Sequence, residues 1–447
     1  MKAFPFIIYH NLFDLRFYKI YKQLLENNRA RFSDKKIVQD YKMRRMINYS
    51  YNNISYYKNK FNKIGCKPND FNTIEDLESL PILTREVIKN NYKDFIPDNN
   101  KKIKYYERRT GGSTGEPLKH RISKYDRLLS GAILYRGWGY ANYELGDKMI
   151  FLGGASLNVG TSTNPFLKID EFIRNIKKLS SFDMTPNDIQ RYAKKINTFN
   201  PKFIRGYASS LYYLSKWLDY NSIKVHSPKA CFTTAEKLFP QVRKLIEKVF
   251  NCEIFDTYGL NDGGVTAFET KGHSGLKIDM ERSLMEVVDD NGNQIEDKEG
   301  RILATNLENH AMPLLRYDTG DIGIMTTNNL DYDNKYLVKI LGRQQEMLQT
   351  PEGKFIHGEF FSHIFWNVNG IKQFQIVQNK IDVLDINIVL DDYFDYDQIS
   401  KIKNYIFKRS KKWEVKVNIL DKINQTSAGK HNFVINNIPS QLFNREQ

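Results

Sequence analysis

The feature that most constrains this chain is an alternation, between residues 148 and 255, of short apolar runs with helical stretches. Lys148-Met-Ile-Phe-Leu152, Phe203-Ile204 and Ala230-Cys-Phe-Thr-Thr234 are too short for helices, whereas 207–220 and 240–250 carry helical spacing. That order builds an α/β fold, a sheet packed by helices. Upstream, Leu15, Tyr18, Leu24, Leu25, Ile37, Tyr41, Met46 and Tyr49 recur at helical intervals and predict amphipathic helices on the outside of this domain. Thr73 and Thr84 stand at N-cap positions, with Leu80-Pro81 breaking the chain between them. A strand-rich section spans roughly 276–340, with hairpin signals at Asn291-Gly292 and Glu299-Gly300. Beyond Leu341-Gly342-Arg343 the pattern is strand (371–378), strand (385–391), helix (396–408) and strand (413–420). A chain of 447 residues exceeds one ordinary core, so two domains are expected: 1–342, large and α/β, and 343–447, small and α+β.

Charge and cysteines narrow the functional classes. Lys and Arg outnumber Asp and Glu by 67 to 52, which invites an anionic partner, yet there is no zinc-finger, RNP-like or long basic-helix pattern. Lys, Asn, Ile and Tyr are abundant throughout, so nucleic-acid binding is not expected, and attraction of ATP or another small anion is a sufficient use of the charge. Cys66, Cys231 and Cys252 are odd in number and lack CxxC spacing, which predicts buried thiols and no zinc. No run approaches a membrane span, and the opening MKAFPFIIYH is interrupted before it becomes a signal segment; a cytoplasmic protein is expected.

Three segments carry chemistry. Thr110, Gly111, Gly112, Ser113, Thr114 and Gly115, preceded by Arg109 and followed by Glu116-Pro117, can converge backbone N–H groups and hydroxyls on a polyphosphate. No Lys-Ser/Thr follows, so this is not a Walker loop, and taken alone it could be a flexible turn. Tyr258-Gly-Leu-Asn-Asp262 follows the apolar Cys252–Phe255 run, at a strand end where open α/β sheets bind ligands. Leu315-Arg-Tyr-Asp-Thr-Gly-Asp321 sets two carboxylates around a Thr-Gly turn. His310 and His357 read as structural residues, and Gly153-Gly154-Ala-Ser156 as either a tight turn or part of an acyl pocket.

Taken in order, Thr110–Gly115, Tyr258–Asp262, Tyr317–Asp321, Gly342-Arg343 and Ser427-Ala-Gly-Lys430 resemble the core motifs of the acyl-adenylate-forming superfamily, within it the phenylacetate–CoA ligase-like branch that includes capsule-biosynthesis proteins. Leu80–Arg85, Arg205–Ser209 and Thr234–Leu238 resemble that branch as well. The resemblance implies a large adenylation domain and a small mobile lid, with the active site between them. It implies Mg-ATP-dependent activation of a carboxylic acid as acyl-AMP, then acyl transfer, to coenzyme A or to a sugar hydroxyl, an amine or a carrier protein. A catalytically degenerate nucleotide-binding protein is the alternative of another class. Residue by residue, 110–115 would hold the β- and γ-phosphates, Tyr258 and Gly259 the adenine with Ala235 and Glu236, and Asp321 and Arg343 the ribose. Asn261 would contact phosphate or substrate, Asp262 would bind Mg²⁺, Lys430 would reach the α-phosphate and the acid, and Gln345 would lie at the hinge. Asp262 replaces the family's usual Glu, Asn261 its Thr or Ser, and Gln345 its hinge Asp or Lys.

Overall fold

The computed structural model describes residues 3–98, 102–109, 118–154, 165–181, 184–260, 262–327, 334–343, 347–357, 360–361, 364–365, 368–424 and 431–438. It divides into two compact units, 1–319 with 324–339, and 320–323 with 340–447.

The first unit opens with helices α1 (Ala3–Phe13), α2 (Phe17–Asn27), α3 (Phe32–Asn53), α4 (Ser55–Ile64) and α5 (Arg85–Asn90), then a hairpin of β1 (Tyr105–Arg109) and β2 (Lys119–Ser123). Helix and strand then alternate: α6 (Lys124–Trp138), β3 (Met149–Gly153), α7 (Pro165–Ile173), β4 (Ile176–Ser180), α8 (Pro186–Phe199), β5 (Phe203–Tyr207), α9 (Ala208–Tyr220), β6 (Ala230–Thr234), α10 (Pro240–Phe250) and β7 (Glu253–Phe255). Strands β3 to β7 form a parallel sheet in the order β4-β3-β5-β6-β7. β3 is buried at all five positions, as a parallel strand covered on both faces should be. Local chemistry sets the helix ends. Ser123 caps α6 by accepting from the Asp126 amide, and Thr185 caps α8 reciprocally with Asp188 before Pro186. Asn200 and Asn251 end α8 and α10 in the left-handed conformation.

A second sheet runs in the order β11-β12-β13-β14-β10-β9-β8. Its strands are β8 (Thr257–Gly259), β9 (Thr266–Glu269), β10 (Leu276–Ile278), β11 (Ser283–Val288), β12 (Glu299–Asn306), β13 (Tyr317–Thr326) and β14 (Tyr336–Arg343). Asn291-Gly292 does turn, with Gly292 at φ +86. Glu299-Gly300 does not: it begins β12, and Asp297 at φ +58 takes the left-handed position. Gly300 serves close packing, since a Cβ there would stand 2.4 Å from the Val288 carbonyl oxygen.

One core joins α6 to the parallel sheet, with Trp138 stacked 5.7 Å from Phe232. Another gathers α3, α4 and the 71–95 segment against Leu314, Leu315 and Tyr317. The 74–79 turn is 3-10 rather than α, closed by Asp76 accepting from the Thr73 amide, and Thr84 caps α5. In the second unit, after β15 (Met347–Gln349) and β16 (Phe355–His357), β17 (Ile371–Lys380), β18 (Val383–Leu390), β19 (Glu414–Ile419) and β20 (Val434–Asn436) form a sheet ordered β19-β18-β17-β20. Helix α11 (Asp397–Phe407) buries Ile402 and Ile406 in that unit's core. Among the described residues no helix is long and apolar enough to cross a membrane. Cys231 and Cys252 lie close, their sulfurs 3.6 Å apart as free thiols, and Cys66 is partly exposed.

His10 of α1 is wedged between Phe6 and Phe17, each 4.4 Å from it between ring centroids. Burial, reinforced by the Arg174 charge, lowers its pKa to about 4. The unfolded chain therefore takes a proton near pH 6.5 that the folded chain refuses until about pH 4. Stability is expected to fall as pH drops through that window, and His10→Phe to flatten the fall, measured by denaturant unfolding at pH 7 and pH 5.

Candidate active site

The described centre of the site is the β8–β9 turn. Leu260 N–H donates to the Val265 carbonyl at 3.0 Å, closing the loop that holds Asp262. The Asp262 carboxylate is buried and accepts a 2.9 Å hydrogen bond from the Tyr317 hydroxyl. Arg85 in turn donates to that hydroxyl, and burial, together with the Asp262 charge, holds the Tyr317 pKa far above the usual phenol value. Two sequence segments 55 residues apart thus meet at one hydrogen bond. The Leu80–Arg85 segment joins them through backbone pairing, Leu83 N–H to the Arg316 carbonyl and Asp318 N–H to the Leu83 carbonyl, both at 2.9 Å.

Gly263 and Gly264 allow the turn to nest in the sheet. A Cβ on Gly263 would stand 2.6 Å from Ala304 Cβ, and Gly264 adopts φ +78 with its Cβ position 2.6 Å from Asn306 Nδ2. Arg282, fully buried, donates to the Gly264 carbonyl at 3.0 Å and pairs bidentately with Asp126 of α6 at 2.8 and 2.7 Å. Neither Arg282 nor Asp126 was singled out from the sequence, because nothing local marks either as a partner of residues more than a hundred positions away.

His120 was also missed. It lies on β2, the strand leaving the 110–117 segment, and feels the Asp262 charge. Burial lowers its pKa, so its imidazole is neutral near pH 7. Its Nε2 is buried with no hydrogen-bond partner among the described residues. The signal that could have found it is its position, a histidine at the base of a candidate phosphate loop.

The other site residues are placed as follows. Tyr258 is half-buried on β8, and Gly259 is exposed at its end. Ala235, just past β6, is exposed at φ +67, a conformation costing an alanine roughly 1–2 kcal/mol, and such strain gathers at functional sites. The Glu236 carboxylate accepts from the Ser209 amide at 2.8 Å, satisfying the N-terminus of α9. Asp321 and Arg343 are brought together within the second unit, at 3.5 Å. Thr110–Gly115, Asn261, Gln345 and Lys430 lie outside the described residues, as does Ser156. His310 receives an edge-on contact from Tyr49, His357 belongs to β16, and His273 faces Glu269 at 3.0 Å.

Among the described residues no three His, Cys, Asp or Glu side chains converge to hold a metal. Asp262, one buried hard-oxygen donor, fits Mg²⁺ held by a single carboxylate and substrate phosphates, and does not fit an all-protein cage.

With this geometry in place, comparison with known proteins defines the class. The fold matches the crystal structure of 2-hydroxyisobutyryl-CoA ligase in its postadenylation state, with a TM-score of 0.72 at 15% identity, covering 93% of this chain and 91% of that one. The family described as the CapK C-terminal domain matches residues 348–437. Homology to CapK and to phenylacetate–CoA ligases, together with this fold, marks the chain as an adenylate-forming ligase similar to the phenylacetate–CoA ligases. Its relatives include Protein CapK of Staphylococcus aureus, 27% identical over 412 residues, 90% of this chain and 89% of CapK. Phenylacetate-coenzyme A ligase of Thermus thermophilus is 24% identical over 327 residues, 70% of this chain and 71% of that enzyme.

The Arg282–Asp126 pair yields a stability prediction. Arg282→Met strands a buried carboxylate and should cost about 3–5 kcal/mol. Adding Asp126→Asn should restore part of the loss in urea unfolding.

Proposed function

We propose that this ligase activates a carboxylic acid with ATP and passes the acyl group to coenzyme A. The observation that carries the reading is the Tyr317–Asp262 hydrogen bond, which locks a buried carboxylate of the Tyr258–Asp262 segment to the first tyrosine of the Tyr317–Asp321 segment. The acid's oxygen attacks the α-phosphorus, the bond to the bridging oxygen breaks, and pyrophosphate leaves. The thiol sulfur then attacks the acyl carbon, AMP departs, and the thiol proton passes to solvent. Such displacement needs positioning and charge neutralisation more than a protein base. Asp262 is the residue to hold Mg²⁺, which when bound offsets phosphate charge.

The remaining roles follow the motif resemblance: 110–115 for the β- and γ-phosphates, Tyr258, Gly259 and Ala235 for adenine, Asn261 for phosphate or substrate, Asp321 and Arg343 for ribose, Lys430 for the α-phosphate and the acid, Gln345 for the hinge. Glu236 supports the adenine wall indirectly, through its hold on α9. The motif resemblance to the branch that includes capsule-biosynthesis proteins supports an acid from a polysaccharide or secondary-metabolite pathway.

Pyrophosphate release across aryl, fatty and sugar-derived acids, with and without coenzyme A, tests the reading. Acid-dependent release is expected, with acyl-CoA as product; acyl-AMP that accumulates beside coenzyme A would redirect the acyl group to a hydroxyl, an amine or a carrier protein. Lys430→Ala is expected to abolish acyl-AMP formation while leaving ATP affinity within a few-fold, by calorimetry. Tyr317→Phe should lower release roughly tenfold or more, because a hydrogen bond to a charged group contributes about 1.5–3 kcal/mol.

A further inference from the structure

Three guanidinium groups of the first unit gather around one phenol. Arg174 donates to the Tyr135 hydroxyl at 2.8 Å and pairs with Asp170 at 3.2 Å. Arg205 and Arg127 each sense the charge of Arg174 and of the Tyr135 group, and Arg205 senses Arg127. Neither makes an ion pair or a hydrogen bond to a carboxylate among the described residues. Arg205 Nε is shut away from solvent without any hydrogen-bond partner. Its guanidinium lies instead over two rings, Trp138 at 5.1 Å and Phe151 at 5.5 Å.

This arrangement is costly as it stands. Desolvation lowers the pKa of the half-buried Arg205 to about 10 and, together with the charges of Arg108 and Arg282, lowers that of Arg127, whose side chain still reaches solvent. Ring faces offset part of the cost of a desolvated guanidinium but leave Nε, the donor shut from solvent, unused. Among the described residues the buried arginines of this unit, Arg136, Arg282, Arg301 and Arg316, each have a carboxylate. Arg205, half-buried, has none, and a guanidinium without a carboxylate is suited to an incoming oxyanion.

Position and space agree. Arg205 lies two residues before the carboxyl end of β5, paired with Phe151 of β3, and open α/β sheets bind ligands outside the carboxyl ends of their strands. The Tyr258–Asp262 segment follows β7 at the same edge of the sheet. On α6, Gly131 falls one turn from both Arg127 and Tyr135, and a Cβ built on it would meet nothing within 4 Å among the described residues. A glycine thus leaves space on the face of α6 that carries Arg127 and Tyr135.

Building on the adenylation reading, we infer that the acid this enzyme activates carries a second anionic group, remote from the reacting carboxyl, which Arg205 binds with Arg127 and Arg174. The second group is an oxyanion, a carboxylate or a phosphate ester, and the acid is therefore dianionic or more.

The test uses matched acids: phenylacetate, 4-carboxyphenylacetate, its 4-methyl ester, and 4-(phosphonooxy)phenylacetate. Calorimetric binding and pyrophosphate release are both measured on the wild-type protein, Arg205→Met, Arg205→Lys and Gly131→Leu. The wild type should bind the carboxy or phospho acid at least 30-fold more tightly than phenylacetate or the ester, and which of the two is preferred distinguishes the oxyanions. Arg205→Met should erase that preference without weakening phenylacetate, Arg205→Lys should restore part of it, and Gly131→Leu should weaken all four acids. Arg205→Met should also melt at or above the wild-type temperature, since it removes an unpaired charge; a fall of several degrees would mark Arg205 as structural and overturn the site. Equal affinity for anionic and neutral acids, or no binding of either anionic acid, overturns it too. Oxyanion-selective binding that Arg205→Met abolishes, without pyrophosphate release from any acid, would sustain the site and sink the adenylation reading. Release insensitive to Arg205 would do the reverse.

Discussion

The rest of the first unit depends on one buried ion pair. Arg282, at the head of β11, grips Asp126 in the first turn of α6 with two hydrogen bonds and spends a third donor on the Gly264 carbonyl. That single side chain ties the helix covering the parallel sheet to the turn presenting Asp262 in the second sheet. Burying the pair gains little net energy against a hydrophobic alternative, but breaking it leaves a charge in the core. Its value lies in fixing position: the turn cannot drift from α6 without exposing one partner or stranding the other.

Arg316 repeats the device at a neighbouring point. It is buried at φ +50, pairs with Glu286, and donates to the carbonyls of Glu78, Leu80 and Gly292. These bonds offset a backbone conformation that L-residues avoid. They clamp the 78–85 segment beside Tyr317, so that Arg85 reaches the tyrosine that holds Asp262. The candidate site is therefore positioned by arginines whose donors are spent on buried carboxylates and backbone carbonyls. Arg205 breaks the pattern, having rings where the others have carboxylates.

Much of the architecture was legible in the sequence because its signals are local. Short apolar runs between helical stretches gave the α/β class; Thr73 and Thr84 gave two caps; the strand, strand, helix, strand order after residue 370 matches β17, β18, α11 and β19 within a few residues. The failures were local signals overruled by packing. Glu299-Gly300 read as a turn, but the crowding of Val288 and Ile295 explains that glycine, and Asp297 turns instead. Arg282 carried no local signal, since its partner lies far along the chain, and His120 carried only its position beside the candidate phosphate loop.

What the sequence by itself determined is what short-range periodicity and spaced motifs encode: the α/β class, the order of the elements, and which segments carry glycines, hydroxyls and carboxylates. The tertiary structure alone decided which of these meet. Asp262 is 55 residues from Tyr317, and Arg282 is 156 from Asp126. Such pairings are set by sheet order and the burial of charge, neither of which has a repeat along the chain. A guanidinium looks the same in sequence whether it has a carboxylate or lacks one; only folding reveals that Arg205 has none among the described residues.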